Sequence, residues 1–333
     1  MQIDVVGGGS IGLLYGAKLA EAGADVTIWT RSEEQAALLE AQGIRLVELG
    51  GTSERLIRVR SIWSEHSSDQ KRLSNKNLQE AGYRWVMLTV KQTDLNERLI
   101  ARLVTITSGR EEGHTAVVCL QNGTGHLERI HSRLPKIPLF AAVTTEGAKR
   151  LDSRSVEHTG KGQLWLGEWT GNGRKQDQSL DIPQKMLVSM LQSAGFTSYL
   201  SNDLDNRIFN KLLINAVINP LTAIFDVENG ELPSHPTRLK LMRDLYAETE
   251  MVLVKAGMSM PEDGLQLILD VCKQTSRNIS SMLSDIRAGR ATEIDAINGG
   301  VAKLAEKHGL QAPLNQAITE LVKALHPKPN MRE

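Results

Sequence analysis

Two cysteines, Cys119 and Cys272, are all that the 333 residues contain. They are too few for a disulfide framework and show no metal-ligand spacing, so no metal site is expected and a reducing compartment is. Charge of one sign is equally scarce. Lys plus Arg and Asp plus Glu both number 39, and a formal net charge of zero gives no bulk attraction to nucleic acid or to an anionic membrane. No apolar run approaches the length of a membrane span, and no leader-like stretch precedes the first strand signal, so the reading is cytoplasmic. The remainder, 41% hydrophobic and 23% charged, has an ordinary globular composition. The chain is too long for one typical core, and two domains are expected.

What the sequence does have is concentrated at its start. Ile3, Val5 and Val6 form a short β-rich run that ends in Gly7-Gly8-Gly9-Ser10-Ile11-Gly12. Ile11, Leu13, Leu14, Ala17, Leu19 and Ala20 follow at helical spacing, and Val26-Thr27-Ile28-Trp29 makes a second β-rich run. Strand, Gly-x-Gly-x-x-Gly, helix and strand is the context that a dinucleotide-binding loop requires. Gly7 allows the tight turn, Gly9 allows the backbone to approach a pyrophosphate, and Gly12 allows close helix–sheet packing. Ser10 and Ile11 complete the loop at the helix N-terminus, where N–H groups and the positive dipole end favour an anion. An acid at the end of the second strand is missing. The strand runs into Thr30-Arg31-Ser32, with no carboxylate before Glu33. Arginine there suits a ribose 2′-phosphate, which favours NADP(H) over NAD(H).

Further along, residues 33–41 read as a helix, and Ile44–Val47 with Leu56–Val59 as a hairpin about Gly50-Gly51. Residues 64–82 are strongly polar and read as a surface excursion. A buried strand at 85–90 ends at Lys91, and strand ends are where open α/β sheets place ligands, so Lys91 is a candidate cofactor contact. A helix over 94–104 and a strand over 115–120 lead to Gln121-Asn122-Gly123, another strand end, which taken alone is an Asn-Gly turn. Three β segments are expected within 139–169, at 140–145, 155–158 and 163–169, then a helix over 183–194 and a strand at 197–200.

From about 202–205 onward the periodicity is helical, which divides the chain into 1–202 and 203–333. The first helix, expected over 205–219 and closed by Pro220, aligns Lys211, Asn215 and Asn219 at i, i+4 and i+8 among Leu212, Leu213, Ile214, Val217 and Ile218. A lysine and two amides in so apolar a helix need partners. Helices are also expected near 237–256, 262–274 and 278–287. A further one is expected from Thr292, with Glu293 in its first turn, where a carboxylate could serve the helix dipole alone.

GGGSIG near the start, QNG at 121–123, NKLLINAVINPLTA at 210–223 and SSMLSDIRAGRATEIDAING at 280–299 together resemble the ketopantoate reductases, which use NADPH. The last two blocks are long and specific. The resemblance implies an α/β fold, an N-terminal Rossmann dinucleotide-binding domain followed by an all-helical domain like that of 6-phosphogluconate dehydrogenase, with the active site in the cleft between them. It places the catalytic lysine on Lys211 and a glutamate that binds a substrate hydroxyl on Glu293. It places helix asparagines on Asn215 and Asn219, a nicotinamide-side asparagine on Asn122, and a carboxylate-binding pair on Asn278 and Ser281. Arg31 coincides with the 2′-phosphate arginine, and Lys91 with a lysine near the adenosine end.

The implied reaction is NADPH-dependent reduction of 2-dehydropantoate to pantoate, a step towards pantothenate. A lysine ammonium can stabilise charge on the ketone oxygen and donate the finishing proton. Two rivals stay open: a reductase of another 2-keto or hydroxy acid, and a non-catalytic NADPH-binding sensor. The polar set of the second domain argues against the sensor, which needs no proton donor. A small-molecule substrate is the expected partner, with neither nucleic acid nor membrane, and a homodimer is left open.

Overall fold

The computed structural model describes residues 1–51, 53–64, 82–108, 114–171, 177–259 and 263–325. The polar stretch 64–82 lies almost wholly outside the described residues. Two compact units emerge: Met1–Gln121 with His126–Leu204, and Asn122–Gly125 with Asp205–Glu333. The short 122–125 segment thus belongs with the second unit, although it follows a strand of the first.

The first unit contains strands β1 (Gln2–Val6), β2 (Asp25–Thr30), β3 (Ile44–Val47), β4 (Glu54–Ile57), β5 (Arg60–Trp63), β6 (Arg84–Leu88), β7 (Thr115–Cys119), β8 (Leu139–Thr144), β9 (Gly147–Arg150), β10 (Ser155–Gly160), β11 (Gln163–Glu168) and β12 (Thr197–Leu200). Its helices are α1 (Ser10–Glu21), α2 (Glu33–Gln42), α3 (Glu97–Thr107), α4 (His126–Arg133) and α5 (Asp181–Ser193). Eight strands form one sheet in the order β5-β2-β1-β6-β7-β8-β11-β12. The first six are parallel; β11 pairs antiparallel with β8, and β12 runs parallel to β11. Counting outward from β1, this is the doubly wound order whose switch point lies between β1 and β6, where the glycine loop follows the first strand. The central strands are buried on both faces, which is why they read as unbroken apolar runs. Asp4 and Arg84 are charged exceptions, and they pair: the Asp4 carboxylate accepts from Arg84 Nε at 2.6 Å and from Trp29 Nε1 at 2.7 Å.

A second sheet of four strands, β4-β3-β10-β9, was not foreseen. The expected hairpin is its β3–β4 edge. β10 leaves the run of strands within 139–169 to pair in parallel with β3, and β9 is a fourth segment in that run where three were expected. Helix α1 packs against strands of both sheets, so its apolar residues join the two into one core.

The second unit is helical: α6 (Leu204–Phe225), α7 (Pro236–Lys255), α8 (Gly264–Gln274), α9 (Ser281–Arg287), α10 (Asn298–Lys307) and α11 (Pro313–Ala324). Two expectations about α6 are corrected. It is 22 residues long with a mean hydropathy of 1.4 over its most apolar window, so by length and composition it could cross a membrane. Yet 56% of that window is buried inside the protein, and Leu212, Leu213, Val217 and Leu221 belong to the core of this unit. Nor does Pro220 end the helix. Proline removes the N–H that would bond the carbonyl four residues earlier, that of Ala216. Asn298 Nδ2 replaces it, donating to the Ala216 oxygen at 2.9 Å.

The helix expected from Thr292 begins only at Asn298. Residues 293–297 form hydrogen-bonded turns in which Ala296 and Ile297 both donate to the Glu293 carbonyl, and the backbone of Ile297 (φ −94°, ψ −88°) is not helical. Glu293 therefore lies outside any first helical turn, and its helix-dipole role loses its basis.

Candidate active site

In the first unit the candidate cofactor residues gather at the carboxyl ends of β1, β2 and β6. Gly7 has φ +123°, and a Cβ there would lie 2.9 Å from Thr89 Oγ1 and from a Val90 methyl. A Cβ on Gly12 would stand 1.9 Å from the Gly7 carbonyl oxygen, so α1 can approach β1 only because residue 12 lacks a side chain. Gly9 is different: a Cβ there meets nothing within 4 Å. Neither turn nor packing demands glycine at position 9, which leaves the space above the backbone open for a ligand. No side chain caps the N-terminus of α1 and no acid lies in its first turn. A pyrophosphate fits this cradle both by space and by the helix dipole.

Residues not foreseen hold the loop. Gln35 Nε2 donates to the Gly8 carbonyl at 2.8 Å, Arg150 N donates to Ser10 Oγ at 3.1 Å, and Thr89 Oγ1 donates towards the Val6 and Gly7 carbonyls, each at 3.1 Å. Arg31 directly follows β2 with an exposed side chain, and its Nη1 lies 3.3 Å from Asp94 Oδ1. Lys91 immediately precedes the short turn that contains Asp94. Ile11 is partly buried beside Gly12.

In the second unit, α6 carries Lys211 and Asn215, both partly buried, and Asn219, which is buried. Burial pushes the Lys211 ammonium down to a pKa of about 8, and the Glu293 carboxylate opposes that shift. Glu293 is itself buried, and its Oε2 accepts from Asn122 Nδ2 at 3.0 Å. Asn122 is held there by its neighbours. Gly123 has φ +82° and a Cβ there would lie 2.3 Å from the Ala296 carbonyl oxygen, while Thr124 N donates to that same oxygen at 3.3 Å. The Asn-Gly pair that alone would read as a turn thus docks against the Glu293 turn.

Asn278 and Ser281 are exposed, one before α9 and one in its first turn. Ser280 between them caps α9 by accepting from Leu283 N at 3.1 Å, and Thr222 Oγ1 of α6 lies 2.7 Å from its Oγ. The segment bearing Asn278 and Ser281 is thereby fixed to the helix bearing Lys211. Among the described residues no group of His, Cys, Asp and Glu could hold a metal.

A doubly wound sheet with a glycine-loop cradle at its switch point, followed by a helical unit that buries a lysine beside a glutamate, has the architecture of the two-domain nicotinamide-dependent dehydrogenases. Within that class the chain belongs to the ketopantoate reductase family. Residues 3–171 match the family described as ketopantoate reductase PanE/ApbA, and residues 203–326 match its C-terminal part. The chain is 32% identical over 330 residues to the 2-dehydropantoate 2-reductase of Bacillus subtilis (strain 168), covering 99% of each chain. It is 30% identical to that of Archaeoglobus fulgidus, covering 97% of each. The crystal structure of the B. subtilis protein, described as a probable 2-dehydropantoate 2-reductase, superposes with a TM-score of 0.77 over 98% of this chain and 100% of that one, at 32% identity. The fold is also that of a D-mandelate dehydrogenase solved with NADH and anilino(oxo)acetate, with a TM-score of 0.79 over 98% of each chain at 24% identity.

Proposed function

We propose that this chain reduces 2-dehydropantoate to pantoate with NADPH, in the cytoplasm. The observation that carries the reading is Lys211, a lysine on an apolar helix whose ammonium is pushed down to about 8 by burial while the Glu293 carboxylate opposes the shift. Such a group is protonated at neutral pH yet close enough to titration to give its proton away.

Gly7, Gly9, Ser10, Ile11 and Gly12 would hold the pyrophosphate, and Arg31 with Lys91 would hold the adenosine end. NADPH, when bound, supplies the hydride to the ketone carbon. Lys211 faces the ketone oxygen, stabilises the charge that develops there, and transfers a proton from Nζ to that oxygen. The products on the protein side are an alkoxide made alcohol and a neutral Lys211 amine, which solvent reprotonates. Asn215 and Asn219 donate hydrogen bonds from the same helix. Glu293 accepts from the substrate hydroxyl, and Asn122, already bonded to that carboxylate, fixes its orientation. Asn278 and Ser281 take the substrate carboxylate.

The test is NADPH oxidation across a panel of 2-keto acids with and without a distal hydroxyl. The reading expects 2-dehydropantoate to lead the panel in kcat/KM. A preferred substrate that lacks the hydroxyl would overturn it in favour of another 2-keto acid, and NADPH binding without any turnover would favour the sensor. Sedimentation of the same sample decides between monomer and homodimer.

A further inference from the structure

The reading of Lys211 and Glu293 leaves open what holds the two elements that carry them in register, and a buried amide outside that set does so. Asn298 is the first residue of α10, five positions after Glu293, and it is 0% exposed. Its Nδ2 makes two bonds, to the Ala216 carbonyl on α6 at 2.9 Å and to Asn315 Oδ1 on α11 at 3.0 Å. The Ala216 carbonyl is the one that Pro220 deprives of its backbone donor, and it lies one residue past Asn215, on the stretch that carries Lys211, Asn215 and Asn219.

The orientation of the amide follows from its surroundings. A Glu248 carboxylate is an acceptor, and Asn315 Nδ2 donates to its Oε1 at 2.8 Å. That turns Asn315 Oδ1 towards Asn298, and an oxygen from Asn315 together with the Ala216 oxygen requires the NH2 group of Asn298 to face them. Asn298 Oδ1 is left without a hydrogen-bond partner in its buried position. An apolar residue would avoid that cost but would leave two buried carbonyl oxygens without the donor.

We propose that Asn298 is a positioning residue for the reduction: by supplying the bond that Pro220 removes, it keeps α6 helical through the active face and ties it to the Glu293 turn. It touches neither substrate nor cofactor and acts through Lys211 and Glu293.

The test is a double-mutant cycle between positions 298 and 220, using Asn298→Ala and Pro220→Ala. Alanine at 220 restores an N–H for the Ala216 carbonyl, and the cavity left at 298 is common to both backgrounds, so it cancels. Pro220→Ala alone is expected to keep turnover within about threefold, because a helix-compatible donor replaces the lost one. Asn298→Ala alone is expected to lower kcat per folded molecule by about tenfold or more, the scale of a small misplacement of a catalytic group. It should also lower Tm by several degrees while leaving the NADPH dissociation constant unchanged. In the Pro220→Ala background the loss in kcat should shrink to a minor part, and the loss in Tm should shrink to what the cavity and the missing Asn315 bond account for.

Equal losses in the two backgrounds overturn the proposal, as does an unchanged kcat in Asn298→Ala. If Asn298→Ala folds only when residue 220 is alanine, the coupling is present in its extreme form. If it folds in neither, Asn298→Ser, too short to reach the carbonyl, is read by the same criteria, and failure of that variant too with alanine at 220 counts against the proposal. Tm and turnover are read separately. A wild-type protein that reduces no 2-keto acid overturns the functional reading, and this inference with it, whatever the Tm coupling; missing coupling in an active enzyme overturns this inference alone.

Discussion

Asn122 Nδ2 donates to Glu293 Oε2 at 3.0 Å, joining a loop and a turn that lie 171 positions apart in the chain. The carboxylate so held also supports the charge on Lys211, whose pKa burial has brought down to about 8. Removing the carboxylate removes an influence that raises that pKa, so burial meets less opposition. Glu293→Gln, which keeps the shape, should therefore move the alkaline limb of kcat to lower pH than in the wild type. A pH–rate profile of the two proteins measures this, and a limb that stays in place or moves up would show that Glu293 does not act on Lys211.

The second expectation concerns Lys211 itself. The acid form is the active one, so turnover should be level below about pH 8 and fall above it as the ammonium loses its proton. Lys211→Ala removes the donor and the charge together. Turnover should drop by about 10² to 10⁴ from loss of acid catalysis, with loss of oxyanion stabilisation adding to it, and the residual rate should lose its alkaline limb. Retention of more than about a tenth of the wild-type rate, a smaller loss than general acids give, would make Lys211 structural.

Local signals carried much of this architecture, and long-range compensations carried the rest. The glycine loop was legible because strand, loop and helix fall within the first thirty residues, with a tight turn at Gly7 and a close helix–strand approach at Gly12 that only glycine permits. The polar stripe of α6 was legible because Lys211, Asn215 and Asn219 repeat at helical spacing. The continuation of α6 past Pro220 was not, because the compensating donor sits 82 positions from the carbonyl it satisfies. Glu293 read as a first-turn residue because Thr-Glu before Ile and Asp is good helix-start chemistry, and only the backbone at Ile297 defers the helix. Strand β9 escaped notice because its residues are partly or fully exposed and show no alternation. Helix α4 has buried residues at 126, 127 and 130, a helical stripe, but eight residues are too few for periodicity to declare itself.

Cofactor choice should rest on Arg31. A charge-assisted contact to a 2′-phosphate contributes about 1.5–3 kcal/mol, so Arg31→Ala should weaken NADPH by that amount and hardly affect NADH. Asp94, 3.3 Å from Arg31 Nη1, is a surface partner that the phosphate would displace. Exposed pairs of this kind contribute about 0–1 kcal/mol, so Asp94→Asn should tighten NADPH by no more than about fivefold. Titration of both cofactors with the three proteins checks this. Equal affinities for NADPH and NADH in the wild type would remove Arg31 from the site.

The glycines offer the sharpest separation of fold from ligand binding. A Cβ on Gly12 would stand 1.9 Å from the Gly7 carbonyl oxygen, so Gly12→Ala must push α1 from β1 and lower Tm. A Cβ on Gly9 meets nothing within 4 Å, and its φ of −85° is open to any residue. Gly9→Ala should thus leave Tm almost unchanged. It should still weaken NADPH, because the methyl occupies the space through which a pyrophosphate reaches the amides at the start of α1. Loss of one charge-assisted hydrogen bond there corresponds to about 10- to 100-fold in affinity. Thermal melts and NADPH titrations on the two variants give four numbers. If Gly9→Ala binds NADPH as tightly as the wild type, the open space above Gly9 is not the pyrophosphate's place, and the cradle must be sought elsewhere along the loop.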